Sequence, residues 1–82
     1  IKKKKMMTLQ EKLNFLEEIM DLDEGDLSED SVLEEIDEWD SLATLALTVE
    51  IKKRYGHNLT TDMLKSFQTV SDICQFISDL EE

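Results

Sequence analysis

At 82 residues the chain has room for one domain and one modest core, because a chain of this size buries only about 60–65% of the surface its unfolded form exposes. Proline is absent and glycine occurs only at Gly25 and Gly56, a composition that suits helices and lacks the turn signals of a multi-stranded sheet. The formal net charge of −11, with no Lys or Arg from Leu13 to Ile51, excludes the basic groove that a nucleic acid requires and points to basic proteins as partners.

The start, Ile1-Lys2-Lys3-Lys4-Lys5-Met6-Met7, has the charge of a signal-peptide n-region, but Gln10, Glu11, Lys12 and Asn14 interrupt the apolar run that should follow. Residues 1–7 are therefore expected to form a flexible basic tail, and residues 8–82 the folded domain. Thr8 followed by Glu11 makes a capping box. Leu9, Leu13, Leu16 and Met20, widened by Phe15 and Ile19, give an apolar stripe at helical spacing. The first helix is predicted over residues 9–20, with Glu17 and Glu18 facing away from the stripe.

Residues 21–40 form a long acidic connection with sparse apolar residues of no sustained period. A loop of this length in a small domain is uncommon unless functional. It is expected to lie across the bundle, pinned by its apolar side chains, with one helical turn near residues 31–35. A second helix starts at Asp40-Ser41, with Asp40 as N-cap. Its two adjoining apolar rows, Leu42, Leu45, Val49 and Leu47, Ile51, Tyr55, predict burial on more than one side. Lys52, Lys53 and Arg54 suit its C-terminus, and Gly56 suits a left-handed cap. A short helix capped by Thr60 or Thr61 is predicted to contain Met63, Leu64 and Phe67. The last helix has Thr69 as N-cap and Asp72 at its third position, with Ile73, Phe76, Ile77 and Leu80 on one face.

The arrangement with chemical content is Asp40-Ser41-Leu42 behind an acidic loop. A serine in the first turn of a helix sits among unpaired N–H groups at the positive end of the dipole, a favourable field for a phosphate on its hydroxyl. Taken alone, the pair Asp40-Ser41 reads equally as an ordinary helix start. The wider pattern of Trp39-Asp40-Ser41-Leu42, the helix over residues 43–55, Gly56 and Phe67-Gln68-Thr69-Val70-Ser71-Asp72 resembles the acyl carrier protein family. That resemblance spans nearly the whole chain. It implies an all-α four-helix bundle with a long first loop and a short third helix. It further implies that Ser41 receives 4′-phosphopantetheine from coenzyme A, and that Asp40 and Leu42 belong to the surface read by a phosphopantetheinyl transferase. The chain departs from the family at Glu38, where a glycine is usual, and at the bulky Trp39, which is expected to pack on the bundle or offer an aromatic contact to a partner. Its second helix has Glu50 as the only acid, against the acidic helix of many fatty-acid carriers.

Other residues carry less. Asp30-Ser31-Val32 repeats the tripeptide but no long apolar helix follows it. Asp21-x-Asp23-x-Gly25 misses the calcium-loop spacing, with glycine one position early and Val32 where the bidentate Glu belongs; no metal site is expected. His57 has no nucleophile beside it and is read as a solvated or capping residue. Cys74 is the only cysteine, which rules out an internal disulfide and suits a cytoplasmic setting. No segment reaches the ~20 apolar residues of a membrane span. The expected protein is a monomeric, non-catalytic carrier of acyl or aminoacyl thioesters, passed among a transferase and loading and processing enzymes. An acidic helical adaptor without a prosthetic group is the alternative.

Overall fold

In the computed structural model, which describes residues 6–82, four α-helices follow one another along the chain: α1 (Leu9–Ile19), α2 (Ser41–Tyr55), α3 (Thr61–Ser66) and α4 (Val70–Glu81). One 3-10 turn, Leu33–Glu35, interrupts the long first loop, and no strand is present among the described residues. The fold is the all-α four-helix bundle that the patterning predicts. The expected basic tail falls mostly on residues outside the described ones. Met7 is described, and its N–H donates to Glu81 Oε2 at 3.0 Å.

The helix starts are set by local chemistry. Thr8 Oγ1 accepts from the Glu11 N–H at 3.1 Å, and Glu11 Oε1 accepts from the Thr8 N–H at 2.8 Å, closing the capping box. Thr69 and Asp72 do the same at the head of α4. The Asp72 carboxylate accepts N–H bonds from Gln68 and Thr69, which hold its pKa below the usual value. Gly56 closes α2 at φ +68°, with its N–H on the Lys52 carbonyl at 2.9 Å. A β-carbon there would meet nothing, so the left-handed backbone is what requires glycine.

The core is built from Leu16 of α1, Leu47 and Ile51 of α2, and Val70, Ile73 and Ile77 of α4, all fully buried. Leu27 and Leu33 reach into it from the long loop. That loop is also tied to the head of α4. Val70 N–H donates to the Ser31 carbonyl and Ser71 N–H to the Glu29 carbonyl, both at 3.0 Å, while Leu33 N–H donates to the Gln68 carbonyl at 2.9 Å. Loop carbonyls thus satisfy N–H groups that a helix start leaves open.

Four expectations need correction. Glu17 does not face solvent. It is 2% exposed, and its Oε2 accepts from the N–H groups of Gly25 and Leu27, each at 2.9 Å. The returning loop covers it because those amides need an acceptor. The Leu42, Leu45, Val49 row of α2 is not buried either, at 76%, 61% and 49% exposure. Only the face carrying Ala43, Leu47 and Ile51 meets the core, since no element among the described residues covers the other side. Leu9 is likewise exposed. Phe67 lies just beyond α3 as its cap residue in an extended conformation, so that helix ends at Ser66.

Candidate functional site

Asp40 fixes the geometry around Ser41. Its backbone is extended, its Oδ1 accepts the Ala43 N–H at 3.0 Å, and its carbonyl accepts the Thr44 N–H at 2.9 Å. The amides of Ser41 and Leu42 therefore remain without an intrahelical acceptor, at the positive end of a helix of 15 residues. Ser41 is exposed, and among the described residues no hydrogen bond engages its Oγ. Its carbonyl accepts from Thr44 Oγ1 at 3.0 Å, which leaves the serine hydroxyl outside the local network.

Trp39 lies two residues before the serine, in a turn closed by its N–H on the Ile36 carbonyl at 3.0 Å. It is half-buried against the core edge. With Leu33, Thr44, Leu64, Lys65 and Phe67 it lines an open groove of about 370 Å³ between the long loop, α2 and α3. Thr44 stands one turn after Ser41, so the groove begins beside the serine. Leu42 stands out on the other side. The structure thus brings Trp39, Asp40, Ser41 and Leu42 together at one corner of the bundle. The groove itself was not legible in the sequence, because α3 and the 3-10 turn meet α2 only in the folded chain.

The competing residues are occupied. Ser31 Oγ accepts the Ser28 N–H at 3.1 Å and lies 3.3 Å from Ser28 Oγ, and the Ser31 carbonyl is taken by α4. Burial raises the pKa of the Cys74 thiol, which opposes thiolate formation. His57 is not simply solvated: its ring meets Phe76 edge-on at 5.6 Å. No group of three or more His, Cys, Asp or Glu suited to a metal occurs among the described residues. A larger hollow of about 590 Å³ lies between α1 and α2. There Arg54 pairs with Glu50 at 3.3 Å and covers the Phe15 ring at 4.7 Å, and none of its lining residues is a nucleophile.

A family model described as the phosphopantetheine attachment site matches residues 13–77. The chain belongs to this family of acyl carrier proteins and carrier domains. The curated proteins and the solved structures gave no match. Family members hold 4′-phosphopantetheine covalently, and the residues present here suit such a group. An exposed, unengaged hydroxyl stands at a helix start where two amides lack acceptors, and an open groove walled in part by Leu33, Trp39, Leu64 and Phe67 begins beside it. As carrier domains, members of the family are not themselves catalysts. No helix among the described residues is long and apolar enough to cross a membrane.

Proposed function

We propose that Ser41 is the attachment residue and that the chain carries acyl or aminoacyl intermediates as thioesters between partner enzymes. One observation supports this most strongly: within the matched segment, Ser41 combines exposure, a hydroxyl without a hydrogen bond among the described residues, and the first position of the central helix. Ser31, the other serine in an Asp-Ser context, is held in a turn. Attachment requires Ser41 Oγ to act as the nucleophile toward coenzyme A, its proton passing to a base on the transferase as adenosine 3′,5′-bisphosphate leaves. When bound, the group supplies a terminal thiol that holds the cargo.

The chain's own residues position and present. Asp40 caps the helix and keeps the Ser41 corner rigid, while Leu42 and Trp39 offer apolar surface on either side of it to the transferase and later partners. A tethered substrate reaches each partner at high effective concentration, and the acidic loop steers encounters with basic surfaces. The protein works as a monomer in the cytoplasm and turns nothing over itself.

Intact-protein mass spectrometry tests the assignment, after incubation with coenzyme A, Mg²⁺ and a broad-specificity phosphopantetheinyl transferase. A single adduct is expected on the wild type and on Ser31→Ala, and none on Ser41→Ala. An adduct that persists on Ser41→Ala moves the site elsewhere. Failure of the wild type with both this transferase and a cognate one returns the chain to the adaptor reading.

A further inference from the structure

The hollow between α1 and α2 takes no part in the Ser41 corner. Phe15 and Ile19 of α1 and Ala46 of α2 give it apolar walls, and the carboxylates of Glu11, Glu18 and Glu50 share its lining. Ala46, Glu50 and Arg54 stand four residues apart, on one line along α2. Glu50 follows Ser41 by nine residues, which is about two and a half helical turns and about 14 Å of rise. The hollow therefore opens on the side of α2 opposite the serine. Thr44, which lines the groove beside Ser41, stands about 120° away from Glu50 around the helix. The hollow also shows which chemistry it accepts. Arg54 sits there with its guanidinium 4.7 Å from the centre of the Phe15 ring and its Nε 3.3 Å from Glu50 Oε1. An aromatic face and a carboxylate thus hold one guanidinium together. Three carboxylates line the hollow against that single cation, and Glu18 has no ion pair among the described residues.

We propose that this hollow docks a basic amphipathic segment of a partner protein. An apolar side chain of the partner enters between Phe15, Ile19 and Ala46, and its Arg or Lys side chains meet Glu18 and Glu11. Charge complementarity selects this occupant, because the carboxylates attract a basic segment and repel an acidic one. A second copy of the chain is a poorer occupant, since two molecules of charge −11 repel. Hollow and serine stand on opposite sides of α2, so a partner held in the hollow leaves Ser41 Oγ and its groove open to another protein. One partner thereby retains the chain while others act at the serine. That meaning rests on the carrier reading; the docking site itself does not.

The probe is a helical peptide with one leucine stripe flanked by arginines, titrated into the ¹⁵N-labelled protein at about 0.15 M salt. Two controls accompany it: the same stripe flanked by glutamates, and the arginines without the leucines. The expected result is amide shifts centred on Asn14, Glu18, Ile19, Ala46 and Glu50, with binding about tenfold or more tighter than either control. Glu18→Lys and Ala46→Arg should each weaken that binding by about tenfold or more. Glu18 is exposed, so Glu18→Lys decides if Ala46→Arg misfolds. Shifts centred on the acidic loop, equal binding of the leucine-free peptide, or unchanged binding by Glu18→Lys overturns the proposal. Replacing Lys2, Lys3, Lys4 and Lys5 by Gln should leave the affinity unchanged. A rise of about tenfold that the leucine-free control does not share would mean that the chain's own lysines fill the hollow, and overturns it. So does a dimer of the protein alone, in sedimentation, that Glu18→Lys dissolves. The peptide-saturated wild type is then treated with coenzyme A, Mg²⁺ and transferase, and the adduct is expected to form. Its loss there, with an adduct still formed on Glu18→Lys at the same peptide concentration, means that hollow and serine are not independent and overturns the proposal. No adduct on the peptide-free wild type sinks the carrier reading alone and leaves the docking site standing.

Discussion

Glu17 shows how one side chain organises the segment that leads to the site. The loop turns back immediately after α1 and brings the buried Leu27 amide and the part-buried Gly25 amide against the Glu17 side chain. Glu17 Oε2 accepts both, and the Glu17 carbonyl also takes the Leu22 N–H at 2.8 Å. Its Oε1 is buried without a protein hydrogen-bond partner among the described residues, so the site carries a cost that the two charge-assisted bonds must offset. Replacing Glu17 by Ala strands the buried Leu27 donor, at about 1–3 kcal/mol when left unsatisfied, and removes the bond to the part-buried Gly25 donor, at about 1 kcal/mol. The expected loss is about 2–4 kcal/mol, which lowers the melting temperature of a domain this small by about 10 °C or more. Glu18→Ala, at an exposed position, is expected to change it little, and thermal denaturation followed by circular dichroism compares the two. Equal melting points would show that the loop does not depend on Glu17. The sequence hid this residue because its partners are backbone amides of a segment without periodicity. The helix start at Ser41 was legible for the opposite reason: the Asp40 cap and the helix behind it are contiguous in the chain.

Between elements, three helices are joined at one end of the bundle by groups that the apolar pattern left out. Lys12 of α1 is buried, donates to Ser78 Oγ and lies 3.7 Å from Glu81 Oε1 of α4. Tyr55 at the end of α2 donates its hydroxyl to Glu81 Oε2 at 3.0 Å. The signal was present in the spacing. Lys12 stands one turn before Leu16, and Glu81 one turn after Ile77, so each extends an apolar stripe with a charge. Helix ends, by contrast, were readable almost to the residue, since caps depend on neighbours within one turn. The exposed side of α2 was not, because whether an apolar row is covered depends on elements far away in the chain. Burial, the Glu81 hydrogen bond and its negative charge push the Tyr55 pKa up to about 12, against a smaller opposing effect of Arg54. The folded state therefore holds the phenolic proton more tightly than the unfolded chain, whose tyrosine titrates near its ordinary value of about 10. This contribution is complete below about pH 10 and is lost as pH rises through about 12. The informative quantity is the difference between the wild type and Tyr55→Phe. Urea denaturation from pH 8 to pH 12 should show the wild type's advantage shrinking with pH. A constant difference would mean that Tyr55 contributes through packing alone.

At the scale of the whole molecule, charge is the dominant feature. Eleven acidic residues lie between Asp21 and Asp40, with no base among them, and all eleven are exposed. Among the described residues the ion pairs are Lys12 with Glu81, and Lys53 and Arg54 with Glu50, so none neutralises the loop. Folding draws these carboxylates into a body with a radius of gyration of 12.2 Å, against about 28 Å for an unfolded chain of this length. The charges are therefore closer together in the folded state, and their repulsion opposes folding. At about 10 mM salt the screening length is about 30 Å, longer than the folded molecule's radius, and near 1 M it falls to about 3 Å. Salt therefore relieves the folded state more than the unfolded one. The melting temperature is expected to climb by several degrees between about 10 mM and about 0.5 M NaCl. Magnesium at matched ionic strength separates general screening from ion capture: an equal rise means screening, and a larger one means that loop carboxylates hold the cation. A melting temperature indifferent to both salts would mean that the loop carboxylates are far enough apart, in the folded protein, to tolerate one another.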